Sequence, residues 1–434
     1  MPMPIMCLDA RLRQFAEAFR GCFSRPQWKY FVIVLLALML CEGRCTLAGL
    51  RRQVAVEATV CGLSRFLSRA PWSAEAVAGA WRARFEQQMA GWVRAEQARQ
   101  RRTRPKRRGR YPATVVTGYL IGDDSTQHKP KGKKMRGLGV HYSGEAHKPV
   151  TGHSLVQGLY VLGGRQCPLP PQLYRQKAVC AREGAPFRSK IDLMETLIRT
   201  FTPAPGTLTH VLLDSWYTAK RIWRAARERG FLITSGLKSN RWLRIEDPAA
   251  PKGWRWQRVD EYAAHLTPDQ YQQVPWPRGE ENRQVYVHTL STRVRKLYRC
   301  QVIITRPTLD CPAKDIRYWA SSDLDADLLT LVHHIATRWD IEVLFADAKG
   351  LLGMDHYQVM SDTAILRFWT LVLTAYLFLD EERAVLRDLR QAHVTLGEAR
   401  EAVQRRHRRH FIDWMHQQFS QGAVPDELYA LLAA

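Results

Sequence analysis

The sequence lacks the cysteine patterns of a zinc module or a disulfide framework. Its nine cysteines are odd in number and scattered, and none belongs to a Cys-x2-Cys pair. Cys41 and Cys45 are close along the chain, but no second half of a metal site follows them. Reduced thiols in a cytoplasmic protein are the simplest account, so we predict a cytoplasmic location.

Long hydrophobic runs and a secretion signal are also missing. The two most apolar stretches, 30–41 and 368–379, are 12 residues each and end close to charged residues. A helix that crosses a bilayer needs about 20 residues. We therefore predict buried core helices in both places and no membrane partner.

Acidic residues are scarce relative to basic ones. The chain has 434 residues, enough for two or three domains, and contains 65 Lys and Arg against 41 Asp and Glu, a net charge of +24. This excess indicates a polyanionic partner, and nucleic acid is favoured over an anionic membrane surface. We therefore expect the protein to be associated with the nucleoid.

The most basic segment is RQRRTRPKRRGR, residues 99–110, with eight basic residues in twelve. Because these charges repel one another, the segment is predicted to be a linker, with bounds 99–112. Contacts with DNA phosphates are expected from four of its side chains, Arg101, Arg102, Arg107 and Arg108. The alternative is a solvated linker with no partner.

The N-terminal region, residues 1–98, has a helical pattern. Short apolar repeats at spacings of three and four are separated by turn-like breaks and carry Arg51, Arg52, Arg65 and Arg69. This pattern suits a DNA-binding region of the helix-turn-helix kind, although a small helical bundle would have the same pattern.

Residues 113–238 change to an α/β pattern. Three runs of strand length are followed by a helix, a strand, a helix and a strand, which is the order of a ribonuclease-H-like core. A β-rich antiparallel insertion is predicted over 239–325, the second part of the core over 326–380, and a basic helical tail over 381–434. The predicted fold class is therefore α/β, with a ribonuclease-H-like mixed sheet interrupted by the insertion and with helical regions at both ends.

Two aspartates are predicted to end strands of this core. Asp124 follows a run of Val, Tyr, Leu and Ile, and Asp214 follows the apolar run 210–213. An acid at the carboxyl end of a central strand lies where open α/β sheets bind their ligands. For Asp214 the alternative is a helix cap, a role that Asp favours.

A third acid lies in the segment RWDIEVLFADAK. Arg338, Glu342 and Lys349 have the spacing Arg-x3-Glu-x6-Lys, which on a helix places them within about 40° of one another. The apolar Ile341 and Leu344 lie on the opposite face. Two cations beside one carboxylate suit a Glu that holds a metal next to a phosphodiester.

Taken together, these motifs resemble bacterial insertion-sequence transposases of the DDE class, in the group marked by a Tyr-x2-Arg-x3-Glu-x6-Lys signature. The Arg, Glu and Lys positions match, while Ile335 occupies the Tyr position. DDST, at 123–126, resembles the first-strand motif of that family, in which the second acid is the ligand, and this favours Asp124 over Asp123. LLDSWY, at 212–217, resembles the second motif. The resemblance covers residues 113–380 well.

The resemblance implies an endonuclease and strand transferase with two metal ions. Asp124, Asp214 and Glu342 would be the catalytic residues and would hold two Mg²⁺ ions, with Mn²⁺ as a possible substitute, because hard cations prefer oxygen ligands. The expected chemistry is in-line displacement at phosphorus, first to cleave the element ends and then to join their 3′ ends to target DNA.

The expected partner is double-stranded DNA, both element ends and target, bound by a homodimer. Arg338 and Lys349 would hold the DNA backbone, and Lys129 would contact DNA in the basic loop after Asp124. Trp339 would stack on an unpaired base, as aromatic side chains do with single strands, or else pack in the core.

Two rival functions fit parts of the pattern. One is a transposase-derived DNA-binding protein that has lost cleavage, which the presence of all three acids disfavours. The other is a different ribonuclease-H-like nuclease, which the insertion and the Arg-Glu-Lys spacing disfavour. The terminal repeat, the target sequence and the excision route do not follow from the sequence.

Overall fold

The computed structural model describes residues 8–53, 58–103, 115–144, 146–279 and 283–433. The helices α1 to α14 span, in chain order, Ala10–Glu17, Arg25–Leu40, Leu47–Arg51, Val60–Ser68, Ala74–Thr103, Lys177–Glu183, Lys190–Thr200, Lys220–Glu228, Val259–Ala264, Leu328–Thr337, Asp340–Gly350, Asp362–Arg390, Leu396–Ser420 and Pro425–Ala433. The strands β1 to β13 span Val116–His128, Gly139–Ser143, Lys148–Leu162, Arg165–Pro168, Gln172–Tyr174, Thr207–Leu213, Leu232–Leu237, Trp242–Glu246, Trp254–Arg258, Gln272–Pro275, Gln284–Arg293, Arg299–Arg306 and Arg317–Ser321.

Most of the strands form one mixed sheet of 11 strands, in the order β10-β11-β12-β13-β7-β6-β1-β3-β2, with β4 and β5 also paired to β3. In its centre β1 runs antiparallel to β3 and parallel to β6, and β6 runs parallel to β7. An antiparallel pair that continues into two parallel strands, with helices α7 and α8 in the crossovers, is the ribonuclease-H-like arrangement. The predicted fold class is confirmed, including the helical regions at both ends.

The second of the three predicted strands, β2, lies at the edge of the sheet and is not paired with β1. β2 pairs only with the first residues of β3, from Gly139 opposite Gly152 to Ser143 opposite Lys148. The neighbour of β1 is the long strand β3, and the short strands β2, β5 and β4 share its outer edge in turn. Together these three segments cover an edge that would otherwise leave backbone groups unpaired.

The insertion is antiparallel, as expected, but it extends the core sheet. β13 pairs with β7, with Tyr318 opposite Leu237, and β12, β11 and β10 follow outward. Only β8 and β9 form a separate two-stranded sheet. Because β7 would be an exposed edge without β13, the added strands remove that edge and hold the insertion rigidly against the core.

Helix α12 is the central helix of the molecule. It packs against α2, α4, α5 and α13 and is buried from Arg367 to Asp380. Among the described residues it is the one helix long and apolar enough to cross a membrane, and 83% of its most apolar window is buried inside the protein. The C-terminal tail was predicted to begin at residue 381, but α12 continues without a break to Arg390. Asp380 lies inside this helix, where it is fully buried and accepts hydrogen bonds from Arg165 and Arg383.

Helix α5 corrects the expected start of the basic linker. It extends to Thr103, so Arg99, Arg101 and Arg102 are helical. Glu96 accepts hydrogen bonds from Arg99 at 2.7 Å and from Gln100 at 3.1 Å, and the carboxylate offsets part of the positive charge. Arginine also has a high helix propensity. The rest of the basic run, residues 104–110, lies outside the described residues.

Candidate active site

Asp123 and Asp124 lie within β1, several residues before its end at His128. The pairing of β1 with β6 stops at Gly122, opposite Leu213, which is the last residue of β6, and Asp214 follows it directly. The Asp123–Asp124 pair and Asp214 therefore lie side by side where β6 ends. A Cβ at Gly122 would lie 2.5 Å from Met194 Sδ, so the glycine allows α7 to pack closely beneath this point.

Asp214 caps the turn that follows β6. Its Oδ1 accepts the backbone N–H groups of Trp216 at 3.0 Å and Tyr217 at 3.3 Å. The pKa of Asp214 is raised, chiefly by burial, and the Tyr217 N–H and the charge of Arg338 oppose this rise. The capping interpretation of Asp214 is correct, and it does not exclude a role at the site.

Asp123 and Asp124 point to opposite faces of the sheet, as neighbours in a strand do. Asp124 forms an ion pair with Lys190, the first residue of α7, and accepts a hydrogen bond from the Tyr217 hydroxyl at 2.8 Å. Both carboxylate oxygens of Asp124 are therefore occupied on the α7 side of the sheet.

Asp123 faces the side of the sheet on which Arg338 lies. Its Oδ2 is 3.7 Å from Arg338 Nη1. Burial, and then the neighbouring carboxylates of Asp214 and Asp124, raise the pKa of Asp123 to about 8, although the charge of Arg338 opposes the rise. Carboxylates that raise one another's pKa mark a place with too few positive charges.

Helix α11 begins at Asp340, two residues after Arg338, so the first residue of the Arg-Glu-Lys segment precedes the helix. Arg338 and Trp339 lie in the short turn between α10 and α11, and α11 starts at Asp340. The four-residue spacing still allows Arg338 Nη2 to bind Glu342 Oε1 at 2.5 Å. Arg338 thus forms ion pairs with Glu342 and Asp123, and its charge opposes the rise in the pKa of Asp214. One cation therefore interacts with Asp123, Asp214 and Glu342.

No group of three His, Cys, Asp or Glu side chains among the described residues is arranged to hold a metal ion. The expected set of Asp124, Asp214 and Glu342 is not drawn together, since Lys190 holds the first acid and Arg338 holds the last. The donors are nevertheless carboxylate oxygens, which hard divalent cations prefer. Among the described residues, the ion pairs on the four acids Asp123, Asp124, Asp214 and Glu342 come from two cations, Lys190 and Arg338. The chemistry of the site fits a divalent ion.

A cleft of about 1250 Å³ opens beside this site, between α10–α11 and the strands of the insertion. Asp214 and Arg338 are among the residues that line it. Its walls are aromatic and basic, with Trp276, Trp319, Trp339, Arg283, Arg306 and Arg317. Trp339 is 52% exposed, which rules out the core-packing alternative for this residue. Ile335, at the Tyr position of the signature, also lines the cleft.

The remaining predicted DNA contacts have different positions. Lys349 is partly exposed near the end of α11, and Arg101 and Arg102 are exposed near the end of α5. Lys129 is buried, and its ammonium donates to the backbone carbonyls of Asp355 and Tyr357. The structure therefore gives Lys129 a structural role, joining the end of β1 to the loop after α11. Arg107 and Arg108 lie outside the described residues.

Three residues of the site were missed by sequence reasoning. Lys190 carries no local signal, because its partner Asp124 is 66 positions away. Tyr217 is part of the LLDSWY motif, but its bond to Asp124 spans 93 positions. Arg278, in the insertion, binds Asp340 and the carbonyl of Ala336, which fixes the start of α11 against the cleft wall.

Comparisons with known proteins found one matching family and a similar solved structure. The sequence model of a family described as DDE superfamily endonuclease matches residues 18–296, more than half of the chain, including Asp123, Asp124 and Asp214. No curated protein matches the chain. A similar solved structure is that of a piggyBac transposase, determined by cryo-EM in a synaptic complex with hairpin DNA. It has 8% sequence identity and a TM-score of 0.43, over 98% of this chain and 80% of that one.

The family match covers helices α2 to α5, both aspartate motifs and much of the insertion, and it ends before Glu342. On the extent of this match, the chain belongs to the DDE superfamily endonucleases.

Proposed function

We propose that this endonuclease is a transposase of a bacterial insertion sequence, which binds the ends of its element, cleaves the phosphodiester backbone and joins the 3′ ends to target DNA. The observation that carries the proposal is the position of Asp214. It lies beside the Asp123–Asp124 pair and near Arg338, and it lines a cleft with basic and aromatic walls.

Endonucleases of this superfamily generally use divalent metal ions. We expect two Mg²⁺ ions here, with Mn²⁺ as a substitute, held by Asp214, Glu342 and one acid of the Asp123–Asp124 pair. When bound, such ions supply the activation of a water or a 3′-hydroxyl and neutralise charge on the leaving oxygen.

The geometry favours Asp123 as the first acid, whereas the DDST motif favoured Asp124. Asp123 shares Arg338 with Glu342, so the two carboxylates already have a cation between them. Asp124 is bound instead to Lys190 and Tyr217 on the other face of the sheet. In this assignment Asp124 is a positioning residue, which orients Tyr217 next to Asp214.

Arg338 and Trp339 would contact DNA on the cleft side, and Lys349, near the end of α11, would add a phosphate contact. A guanidinium can exchange a carboxylate for a phosphate, because both present paired oxygens. Trp339 offers an exposed ring next to Arg338 for stacking on an unpaired base. Arg101 and Arg102, which are exposed near the end of α5, would add phosphate contacts without base specificity, together with Arg107 and Arg108. A homodimer in the DNA complex and a cytoplasmic, nucleoid-associated location complete the proposal.

The test uses DNA with the inverted repeats that flank the reading frame. Purified protein should nick this DNA at the repeat ends only with Mg²⁺ or Mn²⁺, and should then join labelled 3′ ends to a plasmid target. Cleavage without joining would identify a simple nuclease, and binding without cleavage a DNA-binding protein derived from a transposase. Asp214→Asn is the matched inactive control.

A further inference from the structure

A second basic and aromatic surface lies on the other side of the Asp214 turn. This outer patch surrounds a pocket of about 480 Å³, and its side chains include Trp216, Lys238, Arg241, Trp242, Arg295 and Lys296. We propose that the outer patch binds a single-stranded segment of DNA, at a site distinct from the cleft. The inference rests on the proposed function, since it supplies a further DNA contact for the same active site.

The charge of the outer patch fits a polyanion. Four of its lining residues are cations, and no acidic residue lines it in the described part of the chain. Lys238, Arg295 and Lys296 are exposed. Surface charges that serve only solubility are usually mixed in sign. The charged side chains of the outer patch are all positive and surround one pocket, as expected of a surface that follows a phosphate backbone.

The two tryptophans of the patch are exposed and held in place. Trp216 is 59% exposed and Trp242 is 39% exposed. The backbone of Trp216 is fixed by Asp214, and Lys238 Nζ lies 5.1 Å from its ring centroid. The carbonyl of Trp242 accepts the N–H of Arg295 at 2.8 Å. Rings that are open to solvent on an anchored backbone can stack on bases with little loss of entropy.

The two tryptophans also distinguish the form of DNA. In a duplex the base faces are hidden by stacking and pairing, so exposed rings gain little from it. In a single strand every base offers a face to an aromatic side chain, whatever the sequence. The exposed tryptophan rings and the surrounding positive charges together therefore point to unpaired nucleotides.

The location of the outer patch connects it to the reaction. Ser215 lines both the cleft and the outer patch, so the turn after Asp214 separates the two surfaces. A strand with one phosphodiester at Asp214 can continue into the outer patch on one side while the cleft holds the other side. The outer patch would thus keep one strand away from its complement next to the point of cleavage.

The test measures binding without catalysis. Fluorescence anisotropy in EDTA would follow a labelled 15-nucleotide oligothymidylate and a labelled duplex of the same length. The double variant Trp216→Ala/Trp242→Ala should lose at least about tenfold in affinity for the single strand, with a much smaller change for the duplex. Trp216→Phe/Trp242→Phe, which retains rings, should restore most of the affinity.

Trp254, on the β8–β9 hairpin, is a matched control outside the patch. It is also a tryptophan beside a cation, since Lys252 Nζ lies 6.0 Å from its ring centroid. Trp254→Ala should leave single-strand affinity unchanged. If the alanine pair does not fold, Lys238→Gln/Lys296→Gln should still weaken single-strand binding and lower its salt dependence. Unchanged affinity in the folded variants, or an equal loss for single strand and duplex, would overturn the proposal.

These outcomes separate this proposal from the proposed function. Wild-type protein that cleaves element ends, together with patch variants that bind normally, would refute only the outer patch. Selective loss of single-strand binding in a protein that never cleaves element ends would refute only the transposase.

Discussion

Replacing Asp123 with Asn should stabilise the metal-free protein at alkaline pH. In the folded chain the pKa of Asp123 is raised from 3.8 to about 8 by burial and by its neighbouring carboxylates. Between these values the folded state keeps a proton that the unfolded state releases, so stability falls as pH rises from about 4 to about 8. Asn cannot ionise, and the variant is free of this loss.

The size of the change in the free energy of unfolding follows from the shift in the pKa of Asp123. One pKa unit corresponds to about 1.4 kcal/mol, so a shift of about four units sets an upper bound of roughly 6 kcal/mol. The Asp123 side chain is 19% exposed, and screening by solvent reduces the expectation to about 3 kcal/mol. The difference between variant and wild type should shrink toward zero as the pH approaches 4.

Urea denaturation in EDTA at pH 5 and pH 8.5 measures this difference, and Asp124→Asn is the neighbouring control. That control weakens the ion pair with Lys190, so it should lose about 1 kcal/mol at pH 8.5. In cleavage assays with Mg²⁺, Asp123→Asn should be inactive and Asp124→Asn should keep part of its activity. An Asp123→Asn protein no more stable than wild type at pH 8.5 would refute the electrostatic argument. The opposite ranking in cleavage would return the role of first acid to Asp124.

Three further outcomes are expected. Asp214→Asn and Glu342→Gln should each abolish cleavage of element ends. Both should leave DNA affinity in a gel-shift assay nearly unchanged, because affinity comes mainly from Lys and Arg on phosphates. Cleavage by the Glu342→Gln protein would show that Glu342 is not part of the active site. Replacing the four named arginines of the 99–110 run with Gln should weaken binding to all sequences and reduce the salt slope of log affinity by up to about 0.9 per lost contact, and an unchanged slope would leave only a solvated linker. Asp380→Ala should lower the free energy of unfolding by about 3 to 5 kcal/mol in urea, because it strips a buried carboxylate from Arg165 and Arg383, whereas Asp388→Ala, at an exposed position, should change it by less than about 0.5 kcal/mol.

Much of the core order followed from local patterns in the sequence. The predicted order of a helix, a strand, a helix and a strand after the first three strands is the order of α7, β6, α8 and β7 in the structure. These elements have strong apolar periodicity and clear ends, which depend on neighbouring residues only. The Arg338–Glu342 contact followed from spacing for the same reason.

Other features depended on residues far apart in the chain. The burial of Lys129 requires carbonyl groups 226 and 228 positions away. The joining of the insertion to the core sheet requires β13 to meet β7. A local pattern contains no information on such partners, so an exposed loop lysine and a separate β unit were the natural expectations.

The Asp123–Asp124 pair shows which features follow from the sequence and which depend on the tertiary structure. From the sequence it follows that two adjacent residues in a strand must point to opposite faces, because side chains alternate. Which face carries Arg338 and Glu342, and which carries Lys190, depends on how α11 and α7 pack on the two sides of the sheet. The sequence by itself therefore determined the acids, their order and the basic character of the protein. The tertiary structure decided the partner of each acid, because long-range packing sets the charges around it.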